Sequence, residues 1–176
     1  MNNLYIYDFL GYVSVILSMF AFLEKKDATK MLFWGMASAM FFSISLIGYG
    51  GFNGVVVAAF SIVIKGAVLY YKKAPVIYLK VISLLMSILY FVYFNNEGLF
   101  GIIPASTIII VAFADTQDSL VKMKIWYIPS ALLWLVYAIH LESPSAVIYD
   151  IVGLMALGYV LLRHGNTAVA ASRRVE

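Results

Sequence analysis

The sequence predicts an all-α integral membrane protein with seven transmembrane helices, arranged as two parallel three-helix bundles joined by a linker helix. Three observations carry this prediction: an apolar composition, seven apolar runs of membrane-spanning length, and a 92-residue internal offset at which the chain matches itself. Of 176 residues, 64% are hydrophobic and 12% charged. Ordinary soluble domains are roughly 45–50% apolar and about 25% charged. A soluble chain of this length has no way to hide so much apolar surface, so lipid must solvate most of it.

A transmembrane helix needs about 20 mostly apolar residues, with roughly 17–25 tolerated. The runs are Tyr5–Leu23, Met31–Tyr49, Gly54–Tyr71, Val76–Phe94, Leu99–Ala114, Lys124–Leu141 and Ser145–Arg163. Each is apolar on all faces rather than alternating, which excludes a β-barrel pattern. The first run follows MNNLYIYD, which has no basic n-region, and it is too long for a signal peptide, so it is expected to be a retained span. The fifth is short and contains Pro104, where a missing backbone donor predicts a kink. Residues 1–164 then form a single membrane domain. The polar segment 165–176 is expected to be a disordered cytoplasmic tail.

Orientation follows from the basic residues. Lys25, Lys26 and Lys30, then Lys72 and Lys73, then Lys122 and Lys124 fall in loops on one side, and Arg163, Arg173 and Arg174 join them. The opposite loops, GGFNG, NNEG and ESPS, contain no lysine or arginine. Cytoplasmic loops carry the basic excess. This places the N-terminus outside and the C-terminus in the cytoplasm. Arg173 and Arg174 suit weak attraction to anionic lipid.

Shifted by 92 residues, the segment 30–71 matches 122–163 at 10 of 42 positions without a gap. Chance would give about 3–4 at this skewed composition. The matches include Lys30 with Lys122, Trp34 with Trp126, Ser38 with Ser130, and Gly66 with Gly158. Spans two and six are separated by an even number of crossings, so the halves point the same way, as in a parallel repeat about an axis along the membrane normal. Repeat one is then about 5–71, the linker helix 76–94, and repeat two about 99–163.

This plan resembles the superfamily of SWEET sugar transporters and PnuC vitamin transporters, with their 3+1+3 helices. More narrowly, MLFWGMASAMFFSISLIGYGGFNGVVVAAFSIVIKG and the later WYIPSALLWLVYAI and SPSAVIYDIVG resemble the bacterial inner-membrane YgjV family. The resemblance implies a multi-pass protein of the bacterial inner (plasma) membrane. The chain departs from the superfamily in having no Pro-Gln pair. Its candidate hinge prolines, Pro104 and Pro129, both stand in the second half, where the first has Ser14 and Ala37.

Candidate binding residues lie on two matching helix faces. Trp126, Ser130, Trp134 and Tyr137 recur at helical spacing on the sixth span, and Trp34, Ser38, Phe42 and Ser45 on the second. In a parallel repeat the two faces oppose each other. Their flat, rigid rings and hydroxyls suit a sugar or heterocycle. The PnuC family is similar in using aromatics of its sixth helix. Trp34 and Trp126, close to the basic loops, also fit an interfacial belt. Lys65 and Asp150 carry charge inside spans, where burial costs at least about 2.5–3.5 kcal/mol, so each needs a cavity, a partner or a snorkelling route. Asp150 follows Tyr149 and faces no charged counterpart in the first repeat, where Ala58 stands. Asp8 is expected to be hydrated near the outer surface. Ser14, Ser18, Ser106 and Thr107 fit helix packing.

With no cysteine and two histidines, thiol chemistry and a His-rich metal centre are excluded, and no cofactor is expected. The net charge of +3 is too small and scattered for nucleic acid. The best enzyme-like group, His140, Glu142 and Asp150, lacks a nucleophile and base at one depth, so no enzyme is expected. The expected partners are membrane lipid, a small-molecule substrate, and a second copy in a homo-oligomer. The expected function is a small-molecule transporter or facilitator for a polar, largely uncharged solute (a sugar, nucleoside or vitamin). A non-transporting accessory protein is the alternative. Single cysteines at Gly51 and Ser143 are expected to react with an impermeant reagent from the periplasmic side. Reaction from the cytoplasmic side alone would overturn the topology.

Overall fold

The computed structural model describes residues 4–70 and 76–172. Lys72, Lys73, Arg173 and Arg174, which helped to set the orientation, lie outside them. Seven α-helices run in chain order: α1 (Leu4–Leu23), α2 (Ala28–Gly48), α3 (Phe52–Tyr70), α4 (Val76–Tyr93), α5 (Ile102–Asp115), α6 (Leu120–His140) and α7 (Pro144–Ser172). No strand occurs among the described residues. Five helices are long and apolar enough to cross a membrane, namely α1, α2, α3, α6 and the Pro144–Arg163 part of α7. α4 and α5 are the shorter apolar helices.

α5 starts later than its apolar run because a 3-10 turn over Gly98–Gly101 precedes it. Its 14 residues reach about 21 Å at 1.5 Å each, short of a hydrocarbon core of about 30 Å. The stretched 3-10 turn adds most of the missing length. Pro104 then falls in the first turn of α5. There its absent N–H has no helical carbonyl to lose, so the expected kink is replaced by a helix start. α7 also differs from expectation. Its helix continues through 165–172 rather than ending at Arg163, in keeping with the alanine-rich run Ala168–Ser172.

Six helices close a ring. α1 packs on α2, α2 on α3, α3 on α5, α5 on α6, α6 on α7, and α7 returns to α1. α4 stands outside, against α5 and α3. It turns Leu79, Ser83, Ser87 and Tyr90 inward and exposes Ile77, Val81, Leu85, Ile88 and Val92. Ser87 Oγ donates to the Ala105 carbonyl at 2.9 Å, which fixes α4 on α5. Large exposed apolar side chains on every spanning helix are the outer surface of a body solvated by lipid.

Two apolar clusters pack toward opposite ends of the ring. Near the basic loops, Met31, Leu32, Ala114, Met123, Tyr127 and Leu157 pack together. At the far end, Phe42, Leu46, Ala138 and Ala146 do so. The loop between α1 and α2 is ordered by Glu24, whose carboxylate accepts the backbone N–H groups of Lys25, Lys26 and Asp27. The Lys26 bond leads in holding that exposed carboxyl below its ordinary pKa. Lys124, buried on α6, donates to the Glu24 carbonyl and ties this loop to the second half.

The 92-residue repeat is visible in the helix ends. Asp27 caps α2 and Ser119 caps α6 through their side-chain oxygens. After α2, Gly50 takes φ +70° and Gly51 N–H returns to the Leu46 carbonyl at 3.0 Å. After α6, Glu142 takes φ 53° and Ser143 N–H returns to the Ala138 carbonyl at 3.2 Å. Both are left-handed helix stops in the same register, although only the first uses glycine. A Cβ at Gly50 would meet nothing within 4 Å, so only backbone strain resists substitution there. We expect Glu142→Gly to raise the thermal midpoint in detergent and Gly50→Ala to lower it, each by up to about 1 kcal/mol. The left-handed cost of about 1–2 kcal/mol is partly offset by glycine's unfolded-state entropy. A shift of opposite sign at either position would contradict a shared turn.

Candidate functional site

Inside the ring, between the two apolar ends, lies a cavity of about 90 Å³. All six ring helices line it, and α4 does not. Such a volume holds the centres of several water-sized molecules, enough for a small polar group with some hydration.

The lining follows the repeat. On α2 and α6 it pairs Gly35 with Tyr127, Ala39 with Ala131, and Phe42 with Trp134, each pair 92 residues apart. On α3 and α7 the same offset pairs Val57 with Tyr149, Ala58 with Asp150, and Ser61 with Gly153. Ser18 and Phe22 from α1, and Thr107 and Val111 from α5, complete the wall. The positions are symmetric, whereas the chemistry is not. Tyr127 faces a glycine counterpart and Asp150 an alanine.

The aromatic part of the wall falls into two groups, Phe22 with Tyr127 and a second one around Phe42. Phe42 stacks on Tyr149 with centroids 4.5 Å apart, and meets Trp134 edge-on at 5.5 Å. Trp134 in turn meets Tyr137 at 5.6 Å. The Tyr149 hydroxyl shares a hydrogen bond with Ser38 Oγ at 3.2 Å, and Ser38 donates to the Ser14 carbonyl at 2.9 Å. A chain of contacts therefore holds the Tyr149 ring from α7 against α2 and α1.

Charge is concentrated on one side of the cavity. Lys65 on α3 is 5% exposed and its Nζ lies 3.2 Å from Oδ2 of Asp115, the last residue of α5. The Tyr127 hydroxyl donates to the other oxygen of Asp115. Lys65 also donates to Ser61 Oγ at 2.9 Å, and its ammonium lies 5.5 Å from the centre of the Tyr127 ring. The lysine stem passes over Gly35, where an added Cβ would stand 3.5 Å from Lys65 Cε. Asp150 is different. It is 2% exposed, and its buried Oδ2 has no hydrogen-bond partner.

Six of the nine residues expected to bind substrate line this cavity: Trp134, Ser130, Asp150, Tyr149, Phe42 and Lys65. Three do not. Ser38 is buried behind Tyr149. Ser45 sits 3.3 Å from Ser145 at the tight approach of α2 to α7. Tyr137 belongs to the far end of the ring, where its hydroxyl accepts the Gly54 N–H at 3.1 Å and donates to Glu97 at 3.1 Å. Helical spacing put Ser45 and Tyr137 on the right helix face but not at the right depth, whereas Ser38 lies at cavity depth and is covered by Tyr149.

Of the candidate hinge prolines, Pro129 lies inside α6, one residue before Ser130. Trp34 contacts Phe20 and Phe33, and Trp126 is 41% exposed beside Phe113, so neither tryptophan lines the cavity. Asp8 accepts from the Tyr49 hydroxyl at 2.5 Å. His140 stacks on Phe100 and Glu142 sits in the turn after α6, away from the cavity wall that Asp150 joins. No metal-binding group of three such residues occurs among the described residues.

Asp115, Tyr127 and Ser61 were not foreseen as a site. Asp115 closes an apolar run and reads as an ordinary boundary charge. The available signal was that α3 and α5 end on the same side, so Asp115 and Lys65 lie at comparable depths.

The model of one protein family, Imp-YgjV, described as a bacterial inner membrane protein, matches residues 5–168. Neither the curated proteins nor the solved structures include a match. With its multiple apolar helices and a family match spanning most of its length, the chain belongs to this family of multi-pass bacterial inner membrane proteins.

Proposed function

We propose that this protein is a small-molecule transporter or facilitator of the inner membrane, working by alternating access between two three-helix units. The carrying observation is the central cavity, lined by all six ring helices, with repeat-matched positions on α2, α3, α6 and α7, and furnished with hydroxyls, a tryptophan and charge. A scaffold has no need of a polar interior, because burying polar groups among membrane helices is costly unless they serve a pathway or a partner. α1–α3 form one unit, α5–α7 the other, and α4 connects them as a peripheral linker, a 3+1+3 plan like that of the SWEET and PnuC transporters. The distribution of basic residues supports an outside N-terminus and a cytoplasmic C-terminus.

In this reading the solute is small and polar, of the size of a sugar, nucleoside or vitamin, and sits near mid-depth beside Trp134 and Ser130. The units part alternately at the two ends. The bonds that must yield join one unit to the other. Near the basic loops these are Lys65 with Asp115 and Lys124 with the Glu24 carbonyl. At the far end they are Tyr137 with the Gly54 N–H and Ser45 with Ser145.

Detergent-purified protein is expected to gain thermal stability with one class among sugars, nucleosides, vitamins and amino acids. The gain is about 2.7 kcal/mol at a hundred times the dissociation constant, and Trp134→Ala should remove it. No shift at millimolar concentration with folded protein would favour the accessory alternative. Asp115→Asn is expected to weaken the Lys65 pair and destabilise the fold by up to about 3–5 kcal/mol. The double variant Lys65→Met with Asp115→Leu should regain stability but not uptake into proteoliposomes. Full uptake by the double variant would reduce the pair to a structural role.

A further inference from the structure

One carboxyl group of the cavity wall, that of Asp150, has no basic partner among the described residues. Lys65 is matched by Asp115 at 3.2 Å, and Tyr127 donates to the second oxygen of that carboxylate. Asp150 has no such arrangement. It lines the cavity from α7 at 2% exposure, and Oδ2 finds no donor. Directly across the repeat stands Ala58, which also lines the cavity and offers neither charge nor hydrogen bond. A carboxyl buried this deeply favours its charged form only beside a positive charge, so a cationic solute is the occupant that Asp150 would hold most strongly.

The rest of the wall fits such an occupant. Phe42, Tyr149 and Trp134 line the same cavity as Asp150, and the Phe42 ring is in contact with the other two. Aromatic rings attract cations, tryptophan most strongly, by about 0.5–2 kcal/mol depending on desolvation. Ser130 and Thr107 supply hydroxyls for the polar remainder of a ligand. An anion would be repelled by an ionised Asp150, and a neutral solute would offer Oδ2 a hydrogen bond but no counter-charge.

We propose that the cavity is a cation site that takes a solute bearing a single protonated amine or quaternary ammonium nitrogen, with Asp150 as its counter-ion beside the Phe42, Tyr149 and Trp134 rings. This rests on the transport reading and sharpens it. The sparse charge of the spans suggested a largely uncharged solute, whereas the packed helices leave one carboxylate without a partner.

The test uses the full chain in detergent. Thermal shift and equilibrium binding are measured with choline, ethanolamine and tyramine, with dimethylbutanol as the uncharged isostere of choline, and with glucose as a neutral probe. At least one amine should stabilise the protein, and dimethylbutanol should not. Asp150→Asn should weaken amine binding by more than about tenfold. Asp150→Glu, which keeps the charge, should restore most of it and shows that the site still folds. Amine binding that survives Asp150→Asn, or equal binding of choline and its isostere, overturns the proposal. Binding of glucose alone, lost in Trp134→Ala, overturns the cation site and leaves the transport reading standing. Binding of none of the probes to folded protein overturns the cation site and weakens the transport reading with it.

Discussion

Lipid cannot hydrogen-bond, and from that single constraint most of this structure follows. Every backbone group in the hydrocarbon must find its partner inside its own helix, so the chain is helical throughout its described spans. Helix ends must be finished close to the surface, which is where Asp27, Ser119, Gly50 and Glu142 do their work. Side chains that are polar or charged must turn inward. Lys65, Asp115 and Asp150 are all buried in a protein whose outer surface is isoleucine, leucine, valine and phenylalanine. A closed ring of six helices offers those groups one interior. The cavity is where a polar interior and an apolar solvent are reconciled.

Within that interior, the internal repeat sets positions and its departures set chemistry. Identical offsets recur in the caps, in the helix-ending turns and in six pairs of cavity residues. The turn after α6 keeps its left-handed residue even though glutamate has replaced glycine. Departures gather around the cavity. Tyr127 opposite Gly35 gives a hydroxyl that holds Asp115 and a ring beneath the Lys65 ammonium, while the missing side chain of Gly35 leaves room for the lysine stem. Asp150 opposite Ala58 gives a buried acid whose Oδ2 has no hydrogen-bond partner. Two copies of one scaffold thus enclose a site with distinct sides, as recognition of an asymmetric molecule requires.

Much of the fold was legible because the signals were local. Apolar run length found the seven helices to within a few residues except at the end of α7, and five of them are long and apolar enough to cross a membrane. Where the sequence misled, the reason was three-dimensional. Pro104 reads as a kink until the 3-10 turn before it shows that the helix has only begun. Ser45 and Tyr137 share a face with cavity residues, but facing is not depth, and the apolar cluster of Leu46, Ala138 and Ala146 packs at their level, while Ser38 is covered by the Tyr149 hydroxyl. The pairing of Lys65 with Asp115 joins residues fifty positions apart through the packing of α3 on α5, which helical periodicity within either segment does not encode.

The central claim is that the cavity is a solute path reached from both faces of the membrane. Since the chain has no cysteine, a single one placed at Ser130 reports on the cavity alone. The measurement is its reaction with a small membrane-impermeant thiol reagent, added in turn to right-side-out and inverted vesicles. A path that opens alternately predicts reaction from both sides, each slowed by a bound solute. Reaction from neither side, while loop cysteines react normally, would show a sealed interior and contradict the account.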